Sequence, residues 1–110
     1  MAEQLRAMDE RYQRKVADSL LQLEFEVWGE APVQAIGTMG GREFYFRSRH
    51  TGWTLEVANE TGDLPTDVGM APVFFREGQY DNASYMPLDK AVSIIKRCAL
   101  EYITTVGRPA

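Results

Sequence analysis

Few side chains in this 110-residue chain could do covalent or metal chemistry. There is one histidine, His50, and one cysteine, Cys98. A histidine-built metal site is therefore impossible, and zinc would lack most of its usual ligands. His50 would need a carboxylate such as Glu56 beside it to act as an oriented base. Its place at a hairpin tip reads instead as a turn residue. Cys98 falls on the apolar stripe of a helix, with Lys96 and Arg97 pointing off that stripe. That is the setting of a core thiol, since a nucleophilic cysteine needs an electropositive, partly exposed environment. The run Gly37-Thr38-Met39-Gly40-Gly41-Arg42 has the glycines of a phosphate loop. It lacks the Gly-Lys-Ser/Thr ending and leads into a strand, so it reads as a turn. The acidic residues match neither an EF-hand loop nor the carboxylate pair of a glycosidase. No catalytic residue, metal or cofactor is expected.

What remains is the chemistry of a binding surface. The formal charge is −4, from 12 basic and 16 acidic side chains. This speaks against general affinity for nucleic acid or anionic lipid, which requires a basic footprint. Between residues 56 and 89, Glu56, Glu60, Asp63, Asp67, Glu77, Asp81 and Asp89 face a single cation, Arg76. Glu60, Asp63 and Asp67 sit in a stretch with Gly62, Pro65 and Gly69, a solvated loop or an acidic patch that docks on a basic protein surface. A second candidate is Tyr45, Arg47 and Arg49. These residues alternate along one strand, with Ile36 on its neighbour, and Tyr and Arg are favoured at protein interfaces. Aromatics and arginines on a sheet also suit RNA binding. Here, however, Phe44 and Phe46 point to the expected core and the charge is wrong.

These residues must be positioned by a small set of elements. Leu5, Met8, Tyr12, Val16, Leu20 and Leu23 recur at three- and four-residue spacing, which predicts a helix from residue 3 to about 24. The alternation Leu23-Glu24-Phe25-Glu26-Val27-Trp28 suggests that this helix gives way to extended chain. Strands are expected over 33–38, 42–49 and 53–58, with a shorter fourth over 72–77. Gly40-Gly41 supplies one turn and Thr51-Gly52 another. The second turn pairs Phe46 with Val57, Ser48 with Leu55 and Arg47 with Glu56, which keeps the apolar residues on one face. The first places Val33, Ala35 and Gly37 beside Ser48, Phe46 and Phe44. A final helix starts at Pro87 and runs to about residue 106, where Gly107 and Pro109 stop it.

The expected architecture is one α+β domain over residues 1–110. It is a two-layer sandwich in the order N-terminal helix, antiparallel β-meander of three to four strands, C-terminal helix. The helices would cover the sheet face carrying Phe44, Phe46, Trp53, Leu55 and Val57. One cysteine precludes an internal disulfide and fits a reducing compartment. The amino terminus runs straight into a charged amphipathic stretch, and no apolar run is long enough to cross a bilayer. A cytoplasmic location is expected.

The functional expectation is a non-enzymatic protein-binding domain whose partner has a basic surface. Its style is that of a small stoichiometric inhibitor of a bacterial toxin or nucleic-acid enzyme, as immunity and anti-CRISPR proteins are. The alternative is an accessory or regulatory domain that binds a small ligand or forms a homodimer through the sheet's edge or outer face.

Overall fold

In the computed structural model, residues 12–58 and 73–106 are described. They form a six-stranded antiparallel sheet in sequential order. The strands are β1 (Gln13–Asp18), β2 (Leu23–Trp28), β3 (Val33–Met39), β4 (Arg42–Arg49), β5 (Gly52–Val57) and β6 (Phe74–Gln79). One helix, α1 (Leu88–Thr105), packs across the sheet.

The expected amino-terminal helix is contradicted where the chain is described. Residues 13–28, which include the second half of that prediction, are two paired strands. The stripe Tyr12, Val16, Leu20, Leu23 does not form a buried face, for Leu20 is 91% exposed and Tyr12 lies at the surface. Alternation wins instead. Leu23, Phe25 and Val27 are buried, while Glu24 and Glu26 point away. β-Branched and aromatic residues suit a half-buried pleated surface. A short 3-10 turn, Ser19–Leu21, separates the strands. The Asp18 carboxylate accepts from the Leu21 amide at 3.3 Å, and Gln22 turns the corner with a φ of 51°. The sheet therefore has six strands rather than three or four, and among the described residues only the carboxy-terminal helix forms a second layer.

One side of every strand faces α1. Val16, Phe25, Gly37, Phe44, Val57 and Phe74 lie in one continuous row across the sheet. Against this face α1 sets Ala91, Ile94, Ile95, Cys98, Ala99 and Tyr102. Phe25 meets Phe44 edge-on with centroids 5.8 Å apart, and Phe74 meets Tyr102 in the same way at 5.3 Å. Each such side chain contributes about 1.5–3 kcal/mol by leaving water. Salt bridges hold the helix at both edges of the sheet. Arg14 of β1 pairs with Asp89, Asp18 with Lys96 at 3.6 Å, and Arg76 of β6 with Glu101 at 2.8 Å. The hydrogen bond from Arg76 holds the Glu101 carboxyl below its usual pKa.

The β3–β4 register is Val33, Ala35 and Gly37 opposite Ser48, Phe46 and Phe44. The β4–β5 register differs by two residues from the expected one. Phe46 pairs with Leu55, Ser48 with Trp53, and Arg47 with Thr54 instead of Glu56. A two-residue shift keeps each side chain on its own face, so the core is unaffected. The loop is His50-Thr51. His50 takes a φ of 60°, the positive value that primed hairpin turns need at their first position. It is held there from outside, because its amide donates to Ser84 Oγ and its carbonyl accepts from the Ala83 amide. Gly52 is needed in the strand rather than in the turn. A Cβ there would lie 2.8 Å from the Gly78 carbonyl oxygen on β6.

Candidate functional site

The outer face of the sheet is built by the residues that alternate with the core. Tyr45, Arg47 and Arg49 project from this side of β4, with Ile36 beside Tyr45 on β3. Among the described residues no helix covers them. Ile36 is 45% exposed. The Tyr45 hydroxyl donates to Gln34 Oε1 at 2.8 Å, which fixes the ring. Arg47 lies between Gln34 and Thr54, and its Nε is buried with no hydrogen-bond partner among the described residues. A buried donor in that state costs free energy until an acceptor reaches it. Arg49 is exposed at the end of the strand. Beyond Tyr45 in the same row come Glu56 and then Phe75 of β6. Burial raises the Glu56 carboxyl above its ordinary pKa.

Toward β1 the same face is hollowed. One depression of about 370 Å³ lies among Lys15, Ala17, Glu24, Glu26 and Thr38. A second, of about 360 Å³, continues it past Ile36 to Glu43. The two share Glu26, Gly37 and Thr38 and form one trough. Gly37 lets β2 and β3 approach closely beneath it. A Cβ at this position would stand 2.0 Å from the Glu24 carbonyl oxygen and 2.5 Å from the Phe25 Cα. Glu24, Glu26 and Glu43 rim the trough against the single ammonium of Lys15, so its local charge is negative. The Glu26 carboxylate also accepts from the Gln13 side-chain amide. No three histidine, cysteine or acidic side chains among the described residues are gathered closely enough to hold a metal ion.

The other chemical candidates are now placed. His50 is exposed at its turn, while Glu56 pairs with Tyr45, five residues back along β4 and roughly 16 Å away at the usual strand rise. The two do not form an acid–base pair. Cys98 is only 4% exposed under the sheet, and burial pushes its thiol up to about 11. It is neither accessible nor ionised at neutral pH. Glu60, Asp63 and Asp67 lie outside the described residues. The trough carboxylates were not predicted. Their sequence signal was the alternation from Leu23 to Trp28, which sets Glu24 and Glu26 on one side of a strand.

Comparison with protein families, with curated proteins and with solved structures gives no match to this chain. No helix among the described residues is long and apolar enough to cross a membrane.

Proposed function

We propose that this chain is a non-enzymatic protein-binding domain that acts as a small stoichiometric inhibitor, docking its outer sheet face on the basic surface of a bacterial toxin or nucleic-acid enzyme. The observation that carries this reading is the outer face itself. It combines a partly exposed apolar and aromatic centre, Ile36 and Tyr45, with a trough rimmed by three carboxylates. An apolar centre with a charged rim is the usual anatomy of a protein interface. Carboxylates at the rim attract a basic partner, speed its approach and disfavour acidic ones. The Arg47 Nε, buried with no hydrogen-bond partner among the described residues, gives the partner one donor to satisfy. Glu60, Asp63 and Asp67, which lie outside the described residues, are the second set of carboxylates put to the test.

The test uses wild type beside two variants as bait in host lysate. One variant carries Glu26→Lys and Glu43→Lys; the other carries Glu60→Lys, Asp63→Lys and Asp67→Lys. The retained protein is identified, purified and titrated. The expected result is one basic toxin or nucleic-acid enzyme whose activity is lost at a one-to-one ratio. The trough variant should lose both retention and inhibition. Retention by wild type and both variants alike would refute docking through these carboxylates. A retained enzyme that stays fully active in excess bait would refute inhibition.

A further inference from the structure

The outer face is polarised along β4. Glu43, Tyr45 and Arg47 follow one another at every second residue, an anion at one end, a cation at the other and an aromatic ring between them. The neighbouring strands keep the order. Glu24 and Thr38 lie in the row of Glu43, and Gln34 lies in the row of Arg47. Glu43 is exposed and stands about 13 Å from Arg47 at the usual strand rise, too far to pair within the chain. No salt bridge among the described residues uses either side chain, and the Arg47 Nε is buried with no hydrogen-bond partner among them. Between these two rows runs a third, with Ile36, Tyr45, Glu56 and Phe75. Ile36 is exposed to 45% there, at the centre of the sheet.

We propose that the outer face packs on the outer face of a second copy of this chain, about a two-fold axis that crosses the strands along the Ile36–Tyr45 row, so that Arg47 of each copy meets Glu43 of the other. An isologous interface must be complementary to itself, and a strand that reads acid, aromatic, base is so when it is reversed. Sheets packed in this way lie about 10 Å apart with their strands within about 30° of one another. β4 then crosses over β4 of the second copy, with Tyr45 near Tyr45 and Ile36 near Ile36. On β3, Gln34 meets Thr38 of the second copy. An axis parallel to β4 would instead set Arg47 on Arg47 and Glu43 on Glu43, and like charges so placed oppose association. The chosen axis has one unfavourable contact, because Glu56 faces Glu56. Glu26 falls on the axis as well, but Lys15 stands beside it on β1 and balances its charge. Six strands about 4.8 Å apart and roughly 20 Å long cover about 500 Å² per copy, close to the lower limit for a specific interface, so the dimer is weak. It covers the trough, and a target would have to displace the second copy. The inference concerns the purified chain alone and does not rest on the proposed inhibition.

Sedimentation equilibrium of the full chain decides it. Wild type should show a reversible, concentration-dependent dimer. Arg47→Glu and Glu43→Arg should each weaken it about tenfold or more, since the symmetry applies every substitution twice. Mixed in equal amounts, these two variants should recover the dimer, because a mixed pair restores opposite charges at both ends. Ile36→Lys, at an exposed position on the axis, should weaken self-association too, and it carries the test if either charge variant fails to fold. Glu56→Gln should tighten the dimer at pH 7 by removing its unfavourable contact. A wild type that stays monomeric up to about 1 mM would overturn the proposal. So would an Ile36→Lys chain that dimerises as well as wild type, or a mixture of the charge variants that associates no better than each does alone. A Glu56→Gln dimer looser than wild type would reject this axis.

Discussion

The two faces of one sheet carry different kinds of information. On the inner face Phe44, Phe46, Leu55 and Val57 are fully buried and meet the apolar side of α1. On the outer face β2, β3 and β4 display Glu24, Glu26, Ile36, Glu43, Tyr45 and Arg47, a mixture that neither closes a core nor dissolves into plain solvent-facing polarity. Stability should thus reside on one side and recognition on the other. Substitutions should separate the two properties according to the face on which they fall.

The largest effect should come from the inner face. Phe44 sits in the middle of the apolar row, touches Phe25 edge-on and has no exposed surface. Phe44→Ala should cost about 3–5 kcal/mol, through lost transfer energy and the cavity left behind. That is a large fraction of the 5–15 kcal/mol, roughly, that holds a domain of this kind together. Urea unfolding followed by tryptophan fluorescence measures it. A loss well under about 1 kcal/mol would mean that this row is not the core, and the contrast between the faces would fail.

Gly37 tests the same contrast from the backbone. It lies in the inner row, yet its lack of a side chain is what lets β2 pass close enough to shape the outer trough. The atoms that a Cβ would strike are the Glu24 carbonyl oxygen and the Phe25 Cα and Cβ, which cannot rotate away. Gly37→Ala should therefore cost about 3 kcal/mol, at the upper end for overpacking. Gly78 offers the comparison, since its Cβ would meet the Trp53 indole at 2.6 Å, a side chain that has some room to shift. If Gly37→Ala is tolerated more easily than Gly78→Ala in the same denaturation assay, the close passage of β2 over β3 is not rigid.

Much of this arrangement could be read from the chain, and the limit was set by range. The strand Arg42–Arg49 and the helix Leu88–Thr105 lie close to the bounds that alternation and the apolar stripe give, because each pattern is complete within its own segment. Tyr45, Arg47 and Arg49 were legible as one face for the same reason. β1 and β2 were not. Tyr12, Val16, Leu20 and Leu23 satisfy a helical spacing, and only the pairing of β1 with β2 and of β2 with β3 selects the strands. The trough was lost with them, since Glu24, Glu26 and Glu43 come together only when the register of β2, β3 and β4 is known. At the β4–β5 turn the error was smaller. Glycine 52 looked like the turn residue, but contacts from Ala83 and Ser84 hold His50 in the left-handed region, and the close approach of β6 claims Gly52.

The smallest expected effect falls on the outer face, at Glu56. Its carboxyl sits between Tyr45 and Phe75, and burial raises its pKa in the folded chain above the unfolded value. The folded state thus holds this proton more tightly than the unfolded state does. By linkage, the contribution of Glu56 to stability is fully present below the unfolded pKa, near 4.5, and is lost as the pH rises through the higher folded value. Above that range the ionised carboxylate is a net burden on the fold. Glu56→Gln removes the charge and keeps the shape. It should raise the urea midpoint at pH 7, leave it nearly unchanged at pH 4, and flatten the fall in stability between those limits. A variant less stable than wild type at pH 7 would show that the carboxylate is held by a favourable partner. The outer face would then contribute to stability as the inner face does, and the division between them would be weaker than the burial pattern implies.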